Sequence, residues 1–276
     1  MKKRLPVLFV LLLVLLLSAC IGEKTSEPVL SPTPTTEAAI ILLDTPVPTS
    51  APTPTPTPEP TPEPTPSLPE PPDIDITEFQ YVLANSFNPI GWQYAPEYGS
   101  VEGQGIENRI VDQAVAFLYA AREAGFNAWY SSAYRNNEYL YNSFMSYFNN
   151  VAGGDPIKAA NGQLAVCLDE HQTGLAVDFT DDINKSVYYN YQDFSDYDSY
   201  MKDTDLYRWA VEHCADYGFI LRYPEGKEEF YGTPCRHPAH FRYVGEEAAH
   251  YIMDNDLCLE EFLLLYEGNT VYLPVP

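Results

Sequence analysis

The segment from Glu27 to Pro72 sets the limit on how much of this chain can fold. It is written in Pro, Thr, Glu and Ser with few aromatics, and becomes a Thr-Pro and Glu-Pro repeat over Pro52 to Pro66. Most of the chain's 25 prolines lie before Asp73. Proline fixes φ, removes a backbone donor and favours an extended polyproline helix. The segment also carries too little apolar surface to offset chain entropy. One short apolar run, Ala38 to Leu43, interrupts it without a structural assignment. An extended linker of this kind reaches about 3 Å per residue. Folding is left to the stretch from Ile74 to Pro276, about one domain, long enough for a sizeable core.

The N-terminus reads as a targeting segment. Lys2, Lys3 and Arg4 precede an apolar run from Val7 to Leu17. That run is shorter than the about 20 residues a membrane helix needs. It ends in Leu17-Ser18-Ala19-Cys20, which resembles a bacterial lipobox. The expected organisation is a signal peptide at 1–19, a linker at 20–73 beginning with lipidated Cys20, and a globular domain at 74–276. The mature protein would be an extracytoplasmic lipoprotein of the bacterial envelope, touching the membrane only through acyl chains.

Thirty-nine acidic residues face 15 Lys and Arg. That balance excludes nucleic acid as a partner, since phosphates call for cations. The 22 tyrosines are read as packing and wet surface, with some available to an extended polar ligand.

Periodicity predicts a helix over Asn108–Gly125, with Ile110, Val111, Ala114, Val115, Phe117, Leu118 and Ala121 on one side and Gly125 as its stop. A strand over Phe126–Tyr134 leads into Arg135, and a helix follows over Asn136–Asn150. Leu175–Thr180 reads as a strand with Ala176 and Asp178 on one face and Leu175, Val177 and Phe179 on the other. Asp181–Lys202 is polar, tyrosine-rich and expected to be a surface insertion. A helix from Leu206 to Tyr217 stops at Gly218. Strands are expected at Phe219–Tyr223 and Ala239–Val244, and closing helices at Glu246–Asn255 and Leu259–Tyr266. Helices and short strands without βαβ alternation indicate α+β, a small mixed or antiparallel sheet with flanking helices.

Two runs concentrate the chemistry. Glu170-His171-Gln172-Thr173-Gly174-Leu175-Ala176-Val177-Asp178 places a His in a turn and an Asp in the strand that follows. His237-Pro238-Ala239-His240-Phe241-Arg242 places His240 and Arg242 on one strand face. Two imidazoles and a carboxylate suit zinc and leave a fourth position open for catalysis. Each residue taken alone also fits a loop histidine, a solvated aspartate or a structural histidine. His213 and His250 have no partner motif and read as ordinary helix residues.

Together with Ser132-Ala133-Tyr134-Arg135 and Tyr217-Gly218-Phe219-Ile220-Leu221-Arg222-Tyr223-Pro224, these runs resemble the VanY-type zinc D-alanyl-D-alanine carboxypeptidases, from about Phe79 to Glu267. The resemblance implies a hedgehog/DD-peptidase-like fold with His171, Asp178 and His240 as zinc ligands. It implies that Arg135 binds the substrate carboxylate or carbonyl and stabilises the oxyanion, with Ser132 and Tyr134 beside it. The implied substrate is a peptidoglycan stem peptide, and a monomer is expected. L,D-carboxypeptidase or endopeptidase activity on the same fold stays open, as does an inactive zinc-containing wall-binding lipoprotein.

The family's usual Glu-Pro-Trp-His is here His237-Pro238-Ala239-His240, so His237 occupies the general base position. Imidazole can do acid–base work near neutrality, and a non-catalytic His237 is the alternative. Asp169 replaces a usual Ser, and Ala239 reshapes the site where Trp is usual. Beyond Cys20, four cysteines remain, an even number in an exported domain. If His171 and His240 share a metal, the segments before them run together, which predicts Cys167–Cys235 and leaves Cys214–Cys258, with reduced, buried thiols as the alternative.

Overall fold

The computed structural model describes residues 68–162, 167–181, 200–232, 238–269 and 271–273. The leader, Cys20 and the linker up to residue 67 lie outside the described residues, as do 182–199 of the expected insertion.

A four-stranded antiparallel sheet carries the site. Its order is β3 (Trp129–Ser132), β4 (Ala176–Thr180), β6 (His240–Tyr243) and β5 (Phe219–Leu221). Every residue of β4 is buried, because the strand lies inside the sheet and is covered on both faces. The alternation read from the sequence sorts its two faces. Leu175, Val177 and Phe179 enter the main core, and Phe241 of β6 joins them. Asp178 points the other way, directly opposite His240 in the β4–β6 register. Cross-strand partners bring their Cβ atoms to about 5 Å, so the sheet itself sets carboxylate beside imidazole.

The core face is sealed by α1 (Val111–Glu123), which follows a short 3-10 turn at Asn108–Ile110. Phe117 of α1 is fully buried at the centre of an aromatic cluster. Its ring centroid lies 4.7 Å from Phe179, 5.3 Å from both Tyr217 and Phe219, and 5.6 Å from Phe241. Edge-to-face and offset pairs at these separations add specificity to the area they bury. Helix α2 (Asn137–Asn150) begins two residues after Arg135 and is capped by the Asn136 side chain, which accepts from Tyr139 N. Helix α3 covers Pro156–Gly162 and α4 Asp205–His213. A short α5 spans Glu228–Tyr231. A second core forms where α6 (Glu246–Asp254) and α7 (Leu259–Leu263) pack on Tyr81, Ile220 and Val244.

The α+β architecture expected from the sequence stands, and the sheet is wholly antiparallel. The helix expected to Tyr217 instead ends at His213 and continues as a 3-10 turn over Cys214–Tyr217. Gly218 then takes φ 77°, and a Cβ there would lie 2.7 Å from Tyr243 Cε2 and 3.1 Å from Glu246 N. Positive φ and close approach both demand glycine. The strand expected over Phe126–Tyr134 is regular only at Trp129–Ser132, with a register irregularity between Tyr130 and Ser132. The hairpin of β1 (Tyr98–Val101) and β2 (Gln104–Glu107) was not read from the sequence. Its segment holds three glycines and only two β-branched residues, a composition with weak strand propensity.

Candidate metal centre

His171 sits in a 3-10 turn over Glu170–Thr173, and the turn is built for it. The Asp169 side chain accepts from His171 N at 2.9 Å as the N-cap. Gly174 closes the turn at φ 73°, where a Cβ would come 3.1 Å from Glu107 N. The chain then enters β4, and Asp178 arrives on the face that His240 shares. One ligand atom from each of His171, Asp178 and His240 lies within 4.8 Å of the others. His171 Nε2 is 3.1 Å from Asp178 Oδ2, and His240 Nδ1 is 2.9 Å from Asp178 Oδ1. The three residues are 3%, 0% and 4% exposed. Three donors of this type converge on one point, with buried walls behind them.

The proton positions test whether a metal belongs there. His240 Nε2 faces Glu170 Oε2 at 3.2 Å. Burial alone would raise the Glu170 pKa, but the Arg222 and Arg242 charges outweigh it and hold the carboxyl far below the usual range. An ionised carboxylate only accepts, so His240 must donate from Nε2. A neutral His240 then turns its Nδ1 lone pair on the Asp178 carboxylate at 2.9 Å. Two acceptors at that distance repel unless a proton or a metal cation lies between them. In the metal-free protein it is a proton. Burial pushes His240 down, but the bonds to Asp178 and Glu170 and their charges hold its pKa up at about 9. His171 moves the other way, lowered first by burial and then by the Arg135 charge. Its Nδ1 is buried without a partner among the described residues. The donor set and its protonation therefore fit zinc, with one position left open.

Arg135 stands at the rim. Its Nε donates to Ser132 Oγ at 2.9 Å and its Nη1 to Asp169 Oδ2 at 3.2 Å, while Nη2 lies 3.6 Å from Asp178 Oδ2. The side chain remains 22% exposed, so the guanidinium is held from behind and reaches solvent. The unusual Asp169 thus has two tasks that sequence reading did not see, capping the His171 turn and bracing Arg135. Tyr134 packs on the hairpin, its ring 4.8 Å from that of Tyr98.

His237 and Cys235 lie outside the described residues. The Cys214–Cys258 expectation needs correcting, while Cys167–Cys235 reaches beyond the described residues. Cys167, Cys214 and Cys258 are free thiols. Cys214 donates to Val211 O at 3.5 Å, and Cys258 caps α7 with its side chain. Each thiol is thus used by its own helix end, and the expected Cys214–Cys258 bond is absent.

The sequence reading also missed four charged residues. Glu170, Arg222, Arg242 and Glu260 are each at most 1% exposed. Arg222 grips Glu260 with two donors, at 2.9 and 2.6 Å, and reaches Glu170 with Nε at 2.8 Å. Arg242 reaches Glu170 from the other side. The available signal was the alternation of His240 with Arg242, and Glu170 beside His171. Glu260 gave none.

Residues 103–246 match the VanY family, described as D-alanyl-D-alanine carboxypeptidase. This chain belongs to that family. It is 32% identical over 196 residues to a D-alanyl-D-alanine carboxypeptidase of Enterococcus faecalis, covering 68% of this chain and 67% of that one. Among solved structures it resembles a mutant vancomycin-resistance D,D-pentapeptidase VanY in complex with Zn(II), with TM-score 0.55 and 32% identity. That alignment covers 67% of this chain and 99% of the other. VanYB in complex with D-alanine-D-alanine gives TM-score 0.54 and 30% identity, covering 68% and 98%. The VanY membership accounts for the fold.

Proposed function

We propose that this chain is a zinc-dependent D-alanyl-D-alanine carboxypeptidase that trims peptidoglycan stem peptides. The observation that carries this reading is the His171–Asp178–His240 cluster, in which Glu170 commits His240 Nε2 as donor and leaves Nδ1 facing the shared point. The family relatives, one with bound Zn(II) and one with D-alanine-D-alanine, support metal and substrate class. Bound zinc supplies a Lewis acid for the scissile carbonyl and lowers the pKa of a bound water toward about 7.

The chain's own residues do the rest. Arg135 offers the exposed edge of its guanidinium to the terminal carboxylate or the developing oxyanion. Ser132 and Asp169 hold it at that angle. A guanidinium fixed before substrate arrives needs no reorganisation as charge develops. His237, standing where the family has a glutamate, takes the proton from the attacking water and returns it to the leaving amine. The protein acts from the outer face of the membrane, carried by a lipid on Cys20 and held off by the linker. The lipobox-like Leu17-Ser18-Ala19-Cys20 and the Pro-rich repeat support that placement.

Purified protein with zinc and a pentapeptide stem ending in D-alanyl-D-alanine tests the reading by mass spectrometry. Loss of a single terminal alanine is expected. Turnover confined to tetrapeptide stems would assign the L,D class instead. Stoichiometric zinc without turnover of either would make it a binding protein.

A further inference from the structure

The His171–Asp178–His240 cluster rests on buried charges that the proposed chemistry does not use. Glu170 divides its two oxygens: Oε1 accepts from Arg222 Nε at 2.8 Å and from Arg242 Nη1, and Oε2 faces His240 Nε2 at 3.2 Å. Neither arginine can turn away. Arg222 is forked onto Glu260, which also accepts from Asn85 Nδ2 at 2.7 Å. Arg242 Nη2 donates to Gln80 O at 2.8 Å and Val82 O at 2.7 Å. Two carboxylates and two guanidiniums balance, so this cluster adds no net charge beside the metal position.

We propose that Glu170 is a positioning residue for the metal: it holds the His240 ring in the Nε2–H form so that Nδ1 is presented as a ligand. The proposal rests on the zinc reading of the site. Its structural content is a division of labour. The guanidiniums fix Glu170, Glu170 fixes the His240 ring, and Glu260 only completes Arg222. A carboxylate is required because three donors, two guanidiniums and one imidazole, converge on it. Glutamine offers one acceptor and one donor, so one of the three would meet an N–H.

The test compares Glu170→Gln with Glu260→Gln by zinc affinity, using competition with a chromophoric chelator and no assay of turnover. Glu170→Gln is expected to weaken zinc binding about 10- to 100-fold, the usual cost of removing a carboxylate behind a ligand histidine. Glu260→Gln touches the same network but not His240, and is expected to leave the affinity within about twofold while lowering the melting temperature. Equal affinity for wild type and Glu170→Gln overturns the proposal. Equal weakening by both variants also overturns it, because the network would then be only a brace for the fold. If the wild type itself binds no zinc, the metal reading falls first and this inference with it. If Glu170→Gln does not fold, nitrogen-15 correlation spectra of the zinc-loaded wild type decide. A proton on His240 Nε2 supports the assignment, and a proton on Nδ1 overturns it.

Discussion

Arg222→Met should be among the most costly single changes in the protein, and its rescue should be equally informative. Arg222 is fully buried and makes three charge-assisted bonds, two to Glu260 and one to Glu170. Methionine fills much of the space but removes the charge. Glu170 keeps Arg242 and His240. Glu260 keeps only Asn85 among the bonds described here. Leaving a buried carboxylate without its cation costs about 3–5 kcal/mol. For a domain of this size each kcal/mol moves the melting temperature by about 2–4 °C, so a loss of about 6–20 °C is expected. The double variant Arg222→Met/Glu260→Met removes one charge of each sign. Replacing a whole buried pair by apolar groups is often neutral, so the double variant should lie closer to wild type than Arg222→Met does. Acid should narrow the gap between Arg222→Met and wild type, because the larger Glu170 contribution that acid removes belongs to wild type. Burial raises the Glu170 pKa, and Arg222 is the first of the charges that pull it down. A depressed carboxyl contributes stability that is present above its unfolded pKa and lost as pH falls below it. Without Arg222 the folded pKa climbs, so part of that contribution is missing even at neutral pH and the rest is lost at a higher pH than in wild type. Thermal unfolding followed by circular dichroism from pH 7 to pH 4 reads both effects. A double variant losing as much as the two singles combined would refute the pairing.

Three further outcomes follow from other parts of the molecule. Metal-free His240 holds its proton up to about pH 9, against an ordinary 6.5. A raised histidine stabilises the fold fully below its unfolded pKa and stops doing so as pH rises through about 9. Zinc must displace that proton, so chelator competition should show affinity tightening by about tenfold per pH unit below 9; a flat profile from pH 6.5 to 8.5 contradicts the assignment. Burial pushes the Cys214 and Cys258 thiols up to about 12, so both should resist alkylation in the native protein at pH 8. Both should be labelled after unfolding without reductant, and no label on either would restore the disulfide. Gly218→Ala should cost roughly 2–4 kcal/mol in chemical denaturation, from a left-handed φ and a clash with Tyr243; an unchanged midpoint would mean the turn is not built as described.

The His171–Asp178–His240 cluster was legible because it is written locally. A turn ending in glycine and a strand of alternating character fix where His171 and Asp178 point, and the same alternation puts His240 and Arg242 on one face. Helix α1 was legible from the 3.6-residue spacing of its buried residues. Glu170, Arg222 and Glu260 were not, because their burial depends on mutual neutralisation across segments up to 90 residues apart. Their segments show only charged residues in apolar surroundings. The β1–β2 hairpin escaped because glycine-rich strands lack propensity. The Cys214–Cys258 pairing failed for a different reason. An even count argues about compartment, whereas geometry decides pairing, and Cys214 and Cys258 are each engaged by their own helix ends.

The proposed function rests on His171, Asp178 and His240 holding one catalytic zinc. Stepwise addition of zinc to the metal-free protein, with D-alanine release from a D-alanyl-D-alanine pentapeptide followed at each step, tests it most directly. Activity should rise linearly and stop at about one equivalent per chain, the ratio set by a single three-ligand site, with His237→Ala retaining that stoichiometry but losing at least about 100-fold in turnover. Turnover that is indifferent to zinc, or zinc bound at full stoichiometry by a triple alanine variant of the three ligands, would contradict it.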